Sequence, residues 1–160
     1  MEVCKCGKGG NSLTNFEKIK AMHEGFGTVD PKHPVIPPKE ILELRAKLIF
    51  EECKELLYEL GFEIGCINYD CPASIINLYP IEVEFDLEKI AKESADLKVV
   101  TYGTDASLGI DADAAFDAVN TSNMSKIGPN GETVRREDSK ILKGSHYVEA
   151  DMSVIWRNND

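Results

Sequence analysis

The stretch LIFEECKELLYEL, residues 48–60, decides how this chain is read: it is helical in pattern, yet Glu51, Glu52, Glu55 and Glu59 interrupt it where burial is expected. Ile41, Leu44 and Leu48 step round one face at intervals of three and four, and the same stripe, continued, lands on Glu52, Glu55 and Glu59. A second stripe, Leu42, Ala46, Ile49, Cys53, Leu56 and Leu60, is unbroken and apolar, so it is the expected core face. The carboxylates on the first stripe then call for a chemical reason.

Working outward, Pro38 and Gly61 bound this helix to about Lys39–Leu60. Before it, TVDPKHPVIPP (28–38) holds four prolines and reads as a tether, preceded by a helix from Ser12 to Phe26 that stops at Gly27. After it, residues 62–86 read as irregular, with strand-like pieces at SIINLY (74–79) and IEVEF (81–85). A third helix is predicted over Leu87–Leu108, ending at Gly109, and a fourth from Ala112, capped by Asp111, to about Ser122. GPNG (128–131) marks a turn, and the polar remainder fits an extended arm. Four helices with little convincing sheet predict an all-α bundle: a Cys-containing segment over 1–11, one domain over 12–150 and a tail over 151–160.

Composition narrows the function. With 42% hydrophobic residues in 160, the chain can bury one real core. A formal charge of −10 argues against gripping nucleic acid or an anionic membrane, because either needs a basic surface. No apolar run is long enough to span a bilayer, and the N-terminal MEVCKCGKGG has no apolar middle, so a cytoplasmic protein is expected. Five cysteines, an odd number, read as reduced thiols rather than a disulfide framework. Cys4, Cys6, Cys66 and Cys71 offer a structural Zn²⁺ four thiolates, but their spacings are not those of a zinc ribbon.

The third helix repeats the acidic pattern. Glu93 and Asp96 stand three apart, as do Glu52 and Glu55, and residues at that spacing are neighbours on a helical surface. One such pair is ordinary on a solvated face. Two pairs on consecutive long helices, converging in a seam, would repel by up to about 4 kcal/mol per pair at an effective dielectric near 20. A divalent cation reverses that sign, and four carboxylates suit Mg²⁺, which prefers oxygen ligands, waters and substrate phosphates. Glu51 lies about 100° round the helix from Glu52, placed to hold a further ion or to orient a water.

EECKE (51–55) and ESAD (93–96) resemble the EExxE and ExxD motifs of the MazG-like all-α nucleoside triphosphate pyrophosphohydrolases. HEGFG (23–27), LRAKLIFEE (44–52), VTYGTDASLGID (100–111), SNMSK (122–126) and REDSKILKGSHY (136–147) resemble a bacterial and phage branch labelled phosphoribosyl-ATP pyrophosphohydrolase-like. The resemblance implies a MazG-like four-helix bundle, assembled as a homodimer or homotetramer, that cleaves a nucleoside or deoxynucleoside triphosphate to the monophosphate and pyrophosphate. dGTP, GTP and dUTP are among the substrates it admits, in nucleotide pool control or house-cleaning. It assigns Mg²⁺, or Mn²⁺ in its place, to Glu52, Glu55, Glu93 and Asp96, with Glu51 as a further ligand or the activator of water. By the same resemblance Asn123, Lys126 and Lys143 contact phosphates, His23 contacts the nucleoside, and Asn120 is a weaker candidate. The insertion between the second and third helices departs from the pattern. The alternatives are phosphoribosyl-ATP hydrolysis in histidine synthesis and, in another class, a non-catalytic zinc-binding helical scaffold.

Overall fold

The computed structural model describes residues 12–66 and 76–156. Its elements in order are α1 (Asn15–Gly25), α2 (Lys39–Glu59), β1 (Phe62–Cys66), β2 (Ile76–Pro80), α3 (Leu87–Ser107), α4 (Ala112–Met124) and a 3-10 turn at Met152–Trp156. The architecture is the expected all-α one, with a small hairpin added.

Local chemistry sets the helix starts. Thr14 opens α1 as a capping box, its hydroxyl accepting from Glu17 N while the Glu17 carboxylate accepts from Thr14 N. Asp86 accepts from the amides of Glu88 and Lys89, and Asp111 from that of Ala114, so α3 and α4 each begin on a carboxylate that answers orphan N–H groups. The α3–α4 corner turns on Gly109, at φ 67°, where any side chain would also collide with the carbonyl of His33. Val35 N donates to Leu108 O at 2.9 Å beside it, so the proline-rich tether is strapped across that corner.

The hairpin corrects the sequence reading of 62–86. FEIGC (62–66) forms β1 and pairs antiparallel with β2 in the register Phe62↔Pro80 to Cys66↔Ile76, while IEVEF (81–85) is not a strand but the lead into α3. Ile81 N donates to Gly61 O and closes its base against the end of α2.

Helices α2 and α3 run antiparallel as the main pair. Arg45 meets Gly103 near one end, and seven residues on, Glu52 meets Glu93 and Asp96. Helix α1 lies against the C-terminal half of α3, where Phe16 and Tyr102 stack at a tilt with centroids 6.2 Å apart. Phe16, Ala106 and Ala112 form the buried cluster there.

The expected core stripe on α2 is not buried within one chain. No residue of α2 is buried, and Leu42 and Leu60 are 36% and 41% exposed. Phe50 on α2 and Phe116 and Met124 on α4 are each more than half exposed. The apolar face exists, but one chain does not cover it.

The arm after α4 doubles back rather than extending. GPNG turns as expected, with Gly128 N donating to Glu132 O, and single bridges pair Ile127 with Thr133 and Arg135 with Ile141. Ser122 Oγ donates to Val148 O, and Val148 N donates to Ser125 Oγ, so two serines one turn apart clamp the returning strand.

Candidate active site

The α2–α3 seam carries acids at its midpoint. Glu52 from α2 and Glu93 and Asp96 from α3 each present a carboxylate oxygen, and the three oxygens lie within 4.8 Å of one another. Glu93 is buried at 9% exposure; Glu52 and Asp96 are half-buried. Burial first, and then the charges of Glu55 and Asp96, push the Glu52 carboxyl above the usual carboxylate range. Helical spacing explains the convergence, since Glu93 and Asp96 are neighbours on one surface and the antiparallel pairing brings Glu52 opposite them.

Lys92 was not singled out in the sequence, yet it sits in the middle of this group. Its ammonium is 3.0 Å from each oxygen of Glu93, 3.1 Å from Asp96 Oδ2 and 4.0 Å from Glu55 Oε2. Hydrogen bonds to Glu93 and Asp96 raise its pKa, so the ammonium is held charged.

The donor set fits a hard divalent cation. Two oxygens bound to one Mg²⁺ at about 2.0–2.1 Å are at most about 4.2 Å apart, so three oxygens already within 4.8 Å need only small side-chain adjustments to share an ion. An all-carboxylate set favours Mg²⁺, Mn²⁺ or Ca²⁺ over a thiolate- or imidazole-seeking metal. Glu55 lies one turn along α2 from Glu52, outside the 4.8 Å group and half-exposed. Glu51 is exposed and shares with Glu55 and Glu93 a cavity of about 510 Å³, whose far wall is Tyr58, Phe62 and Ile64. The hairpin, through Phe62 and Ile64, therefore borders the acidic seam.

The other sequence candidates fall in two places. Asn123, in the last turn of α4 rather than in a loop, accepts a 2.7 Å hydrogen bond from Lys126 Nζ. Lys143 lies over the Tyr147 ring at 4.3 Å, and Asn120 is exposed on α4. His23 is tied into the fold. It is 5% exposed, its Nδ1 pairs with both oxygens of Asp30 at 2.8 and 3.0 Å, and its Nε2 faces Arg45 Nη2 at 3.4 Å. Arg45 can only donate, so Nε2 accepts and Nδ1 carries the proton given to Asp30. Both ring nitrogens are thus spent on tying α1 and the tether to α2. Gly103 makes room for this, because a side chain there would press on both Arg45 and His23. Sequence reading had no means to find the triad, whose members are separated by seven and fifteen residues of differing structure.

Among the cysteines, Cys53 is a half-buried free thiol on α2. Cys4, Cys6 and Cys71 lie outside the described residues, as does the Cys66 side chain, and with them the zinc alternative. Among the described residues, no helix is long and apolar enough to cross a membrane.

Residues 19–123, which contain all five acids, match the family model described as phosphoribosyl-ATP pyrophosphohydrolase. No curated protein matches the chain.

Proposed function

The chain belongs to the phosphoribosyl-ATP pyrophosphohydrolase family, within the MazG-like all-α superfamily, and on that basis we propose that it hydrolyses a nucleoside or deoxynucleoside triphosphate to the monophosphate and pyrophosphate with the help of Mg²⁺ or Mn²⁺. The observation that carries this reading is the meeting of Glu52, Glu93 and Asp96 on the α2–α3 seam. These three, with Glu55, would hold the cation. When bound, it neutralises phosphate charge and lowers the pKa of a water.

The chain's own residues supply the rest. A water oxygen bonds to phosphorus, the bridging P–O bond to the leaving pyrophosphate breaks, and the water's proton passes to Glu51, whose exposed carboxylate borders the same cavity as Glu55 and Glu93. Lys126 and Asn123, already bonded to each other, and Lys143 on the returning arm are the proposed phosphate contacts, with Asn120 beside them on α4. No covalent enzyme intermediate is needed.

A second substrate, phosphoribosyl-ATP, is favoured by the description of the matched family itself. The two readings separate in one experiment. The protein is incubated with Mg²⁺ and each of the common NTPs, dNTPs and phosphoribosyl-ATP, and the products are followed by phosphorus NMR. Pyrophosphate is expected from at least one. Orthophosphate alone, or no turnover of any, refutes the function.

The uncovered apolar faces of α2 and α4 support assembly as a homodimer or homotetramer, and the net charge of −10 supports a protein of the cytoplasm that engages neither nucleic acid nor an anionic membrane. A monomer by light scattering at micromolar concentration would refute the assembly.

A further inference from the structure

Lys92 has no part in the mechanism just described, yet its ammonium engages the oxygens that a bound dication requires. Every close contact it makes on Glu93 and Asp96 is to a proposed metal ligand. An ordinary helical ion pair at i, i+4 accounts for Asp96 alone. It does not account for one ammonium placed 3.0 Å from both oxygens of a buried glutamate and 4.0 Å from a carboxylate on the neighbouring helix. The stem is flexible and the side chain is 61% exposed, so the ammonium is free to rotate away toward solvent. An ammonium held on both oxygens of Glu93 and on Asp96 takes lone pairs that a dication would use and repels it, so the two compete for the site.

A triphosphate brings about four negative charges to a seam whose own acids are negative, and cations must bridge the two. Resting on the pyrophosphohydrolase reading above, we propose that Lys92 is a substrate-phosphate ligand: its ammonium neutralises Glu93 and Asp96 in the chain alone, yields them to the dication, and turns to a phosphate oxygen of the triphosphate. Lys92 is then a catalytic residue adjacent to the metal ligands, and it weakens metal binding until substrate gives the ammonium another partner.

The test uses the full chain and two binding measurements that need no turnover. Mn²⁺ uptake is followed by the loss of the free-ion paramagnetic resonance signal, and binding of an α,β-imido nucleoside triphosphate is followed by calorimetry in saturating Mn²⁺. Lys92→Met is expected to bind Mn²⁺ about tenfold more tightly and the analogue about tenfold more weakly than the parent chain. Unchanged or weaker Mn²⁺ binding overturns the competition. Tighter Mn²⁺ binding with unchanged analogue affinity overturns the phosphate contact. If Lys92→Met does not fold, Lys92→Arg carries the test: a guanidinium grips carboxylates in two-point fashion, so Mn²⁺ binding is expected to weaken several-fold, and equal affinity overturns the proposal. If the parent chain turns over a triphosphate while the Lys92 variants bind both ligands as it does, this inference alone falls. If the parent chain neither takes up Mn²⁺ through Glu52 and Glu93 nor turns over any triphosphate, the underlying function falls, and this inference with it.

Discussion

Glu52→Gln is expected to make the protein more stable in the absence of divalent cation and to remove the stabilisation that cation brings. The folded state raises the Glu52 pKa, so it disfavours the ionised form. Stability therefore declines as pH rises through that raised value, and above it the penalty is present. Glutamine has no charge to penalise. The size follows from distance: unit charges at 4.8 Å, the span of the cluster, repel by about 0.9 kcal/mol in a water-like dielectric, and Glu52 faces two such neighbours. The water-like value suits Asp96, which is 37% exposed at the mouth of the site, and for Glu93, at 12%, it sets a lower bound. Lys92 offsets part of this, leaving a net gain of roughly 1 kcal/mol, or about 2–4 °C in Tm for a domain of this size. With Mn²⁺ at a hundred times its Kd, the parent chain should gain about 2.7 kcal/mol, and the variant little. Scanning calorimetry in EDTA and in Mn²⁺, at one fixed protein concentration, measures both. A variant that melts lower than the parent in EDTA and keeps the full Mn²⁺ increment would refute the reasoning.

Three further outcomes follow from the packing. Burial raises the Asp105 pKa, so the protonated form is favoured in the fold and stability falls as pH rises through that value; Asp105→Asn should flatten the decline and raise the urea midpoint at pH 7. His23→Ala leaves Asp30 and Arg45 facing each other without the imidazole between them, and should cost about 1–3 kcal/mol, with faster amide exchange over 28–36. Ser122→Ala removes one of the two serines that hold Val148, and should cost about 1 kcal/mol while speeding limited proteolysis within 126–148.

The helices were legible because their period, their carboxylate caps and the glycines after them are local facts. Gly109 and Asp111 say where α3 ends and α4 begins, whatever the rest of the chain does. The acids were legible for the same reason, since i, i+3 spacing fixes a shared face before any packing is known. β1 was not legible: FEIGC alternates over only five residues with a glycine among them, and its pairing is decided by β2, whose partners lie ten to eighteen residues further on. The partners of His23 were not legible because a buried imidazole and a ligand-binding one look alike in sequence. Its partners come from the tether and from α2, and only the folded chain brings them to 3.0 and 3.4 Å. Lys92 was passed over because a lysine between acids reads as part of a solvated face, and the side chain's reach across the seam to Glu55 is a tertiary fact.

The question posed by residues 48–60 has a geometric answer. At 100° per residue, Phe50 stands about 160° round α2 from Glu52, so the aromatic ring points away from α3 while the carboxylate points toward it. A helix that packed against α3 only to bury apolar surface would have the opposite arrangement. Here the middle of the seam holds charge, which a mobile ammonium or a divalent cation can neutralise, with Leu48 and Leu56 half-buried one turn to either side, while Phe50 on the opposite side remains 54% exposed. On the proposed function the acids take a ligand and the exposed Phe50 side takes a second copy, on different faces of one helix. The same helix can then present its acids to a ligand and its apolar side to a second subunit, with neither contact obstructing the other.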